Sequence, residues 1–99
     1  MQKFRTYQLA LALYKAGKSL ELKGELRDQF ERASLSVVLN LAEGSAKVGR
    51  DRKRFFTIAM GSMREVQACL DVIESPLRAN ADQVAGSLHR LLRNPGPGL

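Results

Sequence analysis

Phe56, Ala59, Met63, Val66, Leu70 and Ile73 recur within residues 51–74 at steps of three, four, three, four and three. A strand cannot hold such a series on one face, because strand side chains alternate with period two while an α-helix returns to the same side every 3.6 residues. The stretch therefore predicts a long amphipathic helix whose apolar face must be buried. A second stripe of Phe55, Ile58, Ser62, Cys69 and Val72 runs beside it and widens the apolar arc beyond what one partner helix covers. That stripe is expected to form the contact between copies of the chain in a homo-oligomer.

The same periodicity organises the flanks. In about residues 4–18, Phe4, Tyr7, Leu11 and Tyr14 lie on one face with Ala10 and Leu13 beside them. In about residues 23–47, Leu26, Phe30, Ala33, Val37, Asn40 and Gly44 step as a heptad, the seam of a left-handed bundle. Residues 48–51 break the pattern, with Gly49 suited to the left-handed position after a helix and Asp51 suited to capping the next. Ser75 and Pro76 read either as a helix end or as a cap with proline at the first position of the next helix. Asn80 and Gln83 have capping-box spacing ahead of Val84, Leu88 and Leu91, which predicts a short fourth helix ending near Arg93. The Pro/Gly stretch 94–99 cannot continue it and is expected to be a disordered tail. The expected fold is all-α, an antiparallel up-and-down four-helix bundle over residues 1–93.

Ninety-nine residues supply one modest core. Sixteen Lys and Arg against ten Asp and Glu give a net charge of +6, which favours an acidic partner. With 44% hydrophobic and 26% charged residues, the composition excludes a disordered polyelectrolyte and a collagen-like chain. Cys69 is the only cysteine and His89 the only histidine, so neither a disulfide nor a four-ligand zinc site is expected, and no cofactor is implied. No apolar run reaches membrane-span length, since Lys15 and Lys18 interrupt the one candidate. A cytoplasmic protein without a membrane role is the expectation.

Two blocks carry a family resemblance. Residues 29–45 contain Arg32, Ala33, Ser36, Asn40, Glu43 and Gly44; residues 54–65 run Arg54, Phe55, Phe56, then Ile58, Ala59, Gly61, Ser62 and Glu65 in an Ala-x-Gly-Ser-x-x-Glu pattern. Together, over about residues 4–75, they resemble the small bacterial four-helix proteins encoded in intervening sequences of the large ribosomal RNA gene. The resemblance implies a ring-like homopentamer. A related branch comprises the accessory proteins of diversity-generating retroelements, so RNA or DNA, and a reverse transcriptase or other nucleic-acid enzyme, enter as implied partners. The sequence departs from the family pattern after Glu74, where Pro76 intrudes and the fourth helix is shortened.

Lys47, Arg50, Arg52, Lys53 and Arg54, offset only by Asp51, form a dense basic cluster. The helix macrodipole disfavours cations in a first turn by about 0.3–1 kcal/mol each, and free N–H groups there ligate phosphate. The cluster is the candidate nucleic-acid-binding site; a merely solubilising turn is the bland alternative. No aromatic interleaves it, so base stacking is not expected.

Arg32, Asn40, Glu43 and Glu65 are read as a buried polar network that fixes register, rather than as a catalytic centre. Gly61 and Ser62 are expected to admit another helix closely. Lys3, Arg5, Lys15 and Lys18 are expected to pair with Glu21, Glu25, Asp28 and Glu31. Cys69 reads as a buried thiol.

These residues support two function classes. The first is a non-enzymatic, basic, homo-oligomeric bundle that binds nucleic acid or a nucleoprotein partner through residues 47–54. The second is a structural or protein-interaction scaffold without a nucleic-acid role. A metal held between Glu43 and Glu65 is the enzymatic alternative, and it has the least support.

Overall fold

A computed structural model describes residues 2–93, with side chains from Phe4 onward. The expected tail at 94–99 lies outside the described residues. Four helices account for nearly all of them: α1 (Gln2–Gly17), α2 (Gly24–Ser45), α3 (Gly49–Val72) and α4 (Arg78–Arg93). No strand occurs among the described residues. The long dimension is 42 Å against 20 and 17 Å across, close to the roughly 36 Å that α3 alone spans at 1.5 Å per residue.

The face expected of α3 is the centre of the core. Phe56, Ala59, Met63, Val66 and Leu70 are fully covered, and each large side chain among them contributes about 1.5–3 kcal/mol by leaving water. From α2 come Phe30, Ala33, Val37 and Leu41, and from α4 Val84, Leu88 and Leu91. The α2 seam is Phe30, Ala33, Val37, Leu41 and Gly44, not the strict heptad through Asn40. Asn40 sits at the margin, where its side chain donates to the Ser36 carbonyl at 2.9 Å and to Ser36 Oγ at 3.1 Å. Phe30, Val37 and Gly44 keep the seven-residue spacing, and the departure is confined to the other series, where Leu41 rather than Asn40 follows Ala33 into the core.

The α1 face also differs from the expectation. Thr6, Ala10, Leu13 and Gly17 are buried, Tyr7, Leu11 and Tyr14 are half-buried, and Phe4 is 61% exposed. The small and polar members of that line are invisible to a pattern built on large apolar residues. Thr6 is covered because its hydroxyl is bonded to that of Ser87 on α4. Gly17 is needed because a Cβ there would overlap the Phe30 ring.

The boundaries of α3 and the start of α4 differ in detail from the expectation. Gly49 is left-handed at φ +61°, but it opens α3 rather than closing α2. The N-cap position is Val48, which makes no side-chain cap, so Asp51 lies inside the first turn instead of capping it. At the other end of α3, Glu74 is left-handed at φ +51°. Ser75 N donates to Leu70 O at 3.0 Å and Glu74 N to Asp71 O at 3.1 Å, the paired bonds of a Schellman stop. The Ser75 hydroxyl then accepts from Leu77 N at 3.1 Å. Ser75 thus caps the turn that leads into α4, with Pro76 at its first position, and α4 begins before Asn80, the expected cap.

Candidate nucleic-acid interface

The five cations of residues 47–54 do not play one role. Arg52 is buried, 6% exposed, and its Nε donates to the Lys47 carbonyl at 2.8 Å. It braces the α2–α3 turn from within and is not displayed to a ligand. Lys47 is half-buried, with Nζ 3.8 Å from Glu43 Oε2 one helical turn earlier. Arg50, Lys53 and Arg54 are exposed, and the Arg54 guanidinium lies 4.9 Å from the Phe55 ring centroid. Three outward cations therefore lie in the first two turns of α3, with the exposed Asp51 among them, and Val48 makes no side-chain cap to the first-turn N–H groups. Free amide dipoles and guanidinium forks together favour a phosphate group.

Arg32, Asn40, Glu43 and Glu65 are not brought together as one network. Arg32 donates to Gln29 Oε1 at 2.7 Å, Asn40 serves Ser36, Glu43 pairs with Lys47, and Glu65 is exposed. The polar link between α2 and α3 is instead Asn40 to Ser36 to Ser62, the two serine hydroxyls lying 2.8 Å apart. Sequence reasoning missed Ser36 because a serine on a helix carries no pattern of its own. Among the described residues no group of three or more His, Cys, Asp or Glu could hold a metal ion.

The second stripe of α3 divides. Cys69 is buried, and Ser62 and Phe55 are half-buried within the chain itself, whereas Ile58 and Val72 are 43% and 71% exposed. Leu35 and Leu39 of α2 are also exposed. Burial, then the nearby Glu65 charge, push the Cys69 thiol pKa up. Gly61 faces open space, so no helix of the chain approaches it.

Arg5, Lys15 and Lys18 make none of the expected ion pairs with Glu21, Glu25, Asp28 and Glu31, and the Lys3 side chain lies outside the described residues. Lys18 lies over the Tyr14 ring at 4.8 Å, and Glu31 pairs within its own helix with Arg27. Asp71 of α3 and Asp82 of α4 are engaged with other partners. Arg78 donates to Asp71 at 2.7 Å and lies 3.0 Å from Asp82, which also accepts from Gln67.

The sequence model of the family described as 23S rRNA-intervening sequence protein matches residues 3–91. The chain belongs to that family. The match spans all four helices and bears out the resemblance carried by residues 29–45 and 54–65. For this 23S rRNA-intervening sequence protein, no curated protein and no solved structure gives a significant match. No helix of the described residues is long and apolar enough to cross a membrane.

Proposed function

We propose that this protein is a non-enzymatic, basic, cytoplasmic bundle that binds the phosphate backbone of nucleic acid through the α2–α3 turn. The observation that carries the reading is the display of Arg50, Lys53 and Arg54 over the first two turns of a helix whose start is uncapped, where three cations face one acid, Asp51, and the free first-turn N–H groups favour an anion. An up-and-down antiparallel arrangement puts this turn at one end of the bundle. Three contacts support it: Thr6 with Ser87, Ser36 with Ser62, and Gly44 against Phe55 and Phe56.

Assembly into a homo-oligomer, with the family resemblance suggesting a ring-like pentamer, would bury Ile58, Val72, Leu35 and Leu39 and repeat the basic turn around a rim. These same apolar residues favour a second reading, a protein-interaction scaffold whose charge serves solubility.

A mobility-shift assay at low salt with random-sequence RNA and DNA separates the two. The wild type is expected to shift both, and Arg50→Ser/Lys53→Ser/Arg54→Ser to shift either only at much higher protein concentration. No shift by the wild type would leave only the scaffold. Sedimentation of the wild type as a monomer at micromolar concentration would remove the assembly.

A further inference from the structure

The net charge of the chain is not spread over its surface. Residues 3–5, 43–54 and 90–93 hold nine cations and two acids, while the remaining seven cations and eight acids fall within residues 15–32 and 64–82 and nearly cancel. The three basic segments are far apart in sequence, but the contacts bring them together. Gly17 against Phe30 sets α1 alongside α2 so that the start of α1 falls near Leu41 and Gly44. Thr6 bonded to Ser87 sets the end of α4 beside that start, and Gln67 bonded to Asp82 sets it beside the start of α3.

We infer that Arg5, Arg90 and Arg93 extend the turn into one end-wide surface for a nucleic-acid backbone, several phosphates long rather than a single-phosphate site. This rests on the antiparallel, phosphate-binding reading above and adds α1 and α4 to it. Arg5, Arg90 and Arg93 are exposed and have no ion pair among the described residues. Two cations in the last turn of α4 complement its C-terminal dipole, which accounts for Arg90 and Arg93 singly. It does not account for the presence of only two acids, Glu43 and Asp51, beside nine cations in these segments.

Distance decides whether the acids elsewhere matter. The Debye length is about 8 Å at physiological ionic strength, against a long dimension of 42 Å. Acids at the far end are screened from a ligand at this one. The ligand meets the local excess of cations, not the molecular average, and an end 20 by 17 Å across spans several phosphates of a strand spaced at about 3.4 Å per nucleotide along a duplex.

Salt-dependent binding of the full chain to a random-sequence DNA duplex, and to one of its single strands, tests this. Each phosphate contact contributes about 0.9 to the log–log salt slope on a duplex and about 0.7 on a single strand. Arg5→Ser/Arg90→Ser/Arg93→Ser is therefore expected to lower the duplex slope by about 3 while binding persists through the turn. A matched change at the far end, Lys15→Ser/Lys18→Ser/Lys23→Ser, is expected to leave the slope unchanged. Circular dichroism melting keeps loss of fold apart from loss of contact. A wild-type slope in the first variant, or an equal fall in the second, would overturn the inference while the turn remained a binding site. Absence of wild-type binding to either probe would remove the turn as a site and the extended surface with it. The stronger of the duplex and single-strand signals identifies which form the surface prefers.

Discussion

Arg52 Nε donates to the carbonyl oxygen of Lys47 at 2.8 Å, which makes the one buried cation of the basic turn a brace for its backbone. A carbonyl left without this donor loses a bond to a charged group, worth about 1.5–3 kcal/mol. Arg52→Ala is expected to lower unfolding free energy by that amount in urea denaturation. Its effect on nucleic-acid affinity should be small at temperatures where the variant is folded. A variant as stable as the wild type would show that the brace contributes nothing.

Gly17 and Gly61 should respond to alanine with opposite signs. A Cβ on Gly17 overlaps Phe30, whereas one on Gly61 meets nothing within 4 Å. Gly61→Ala removes a flexible residue from a helix interior and should stabilise by about 0.5–1 kcal/mol. Gly17→Ala overpacks the core and should destabilise by about 1–3 kcal/mol. Thermal melts of the two variants check both signs, and a loss of stability in Gly61→Ala would reveal a neighbour that the single chain lacks.

Glu74 occupies the left-handed position that ends α3, a conformation that costs a side-chain-bearing residue about 1–2 kcal/mol. Glycine escapes that cost but loses more backbone entropy on folding. Glu74→Gly is expected to gain about 0.5–1 kcal/mol net, read as a higher midpoint in guanidinium. A lower midpoint would mean that Glu74 makes a compensating interaction.

How much of this is written in the sequence depends on the size of the side chains involved. The α3 face is legible because Phe56, Met63, Val66 and Leu70 are large, apolar and regularly spaced, and because propensity, period and burial agree there. The α1 face is misleading at Phe4 because its true line runs through Thr6, Ala10 and Gly17, residue types that helices also display to water. The basic cluster is visible as composition, but its division into brace and display is not. Arg52 and Arg54 differ by about half a turn on a helix whose start, Val48 to Gly49, carries no capping side chain to mark it. The gathering of Arg5, Arg90 and Arg93 at one end, proposed above, rests on contacts across the whole chain, which no local pattern encodes.

Cys69 sets a pH dependence. Burial, with the Glu65 charge adding to it, raises the thiol pKa above its unfolded value. A raised acid pKa means that the folded state favours the protonated form. Its contribution to stability is complete below the ordinary thiol pKa of about 8.5 and is lost as pH climbs through the folded value. Alkylation at about pH 8 should therefore be slower in the native protein than in the unfolded chain. Cys69→Ala should flatten the alkaline part of the stability profile, and equal alkylation rates in native protein and in urea would contradict the assignment.

The central claim is that Arg50, Lys53 and Arg54 contact phosphate, and the salt dependence of duplex binding measures it most directly. The wild type is expected to lose affinity steeply as salt rises, and Arg50→Ser/Lys53→Ser/Arg54→Ser to show a slope shallower by about 3 with its melting temperature preserved. A folded variant with the wild-type slope, or a wild type that binds no duplex at low salt, would contradict the account.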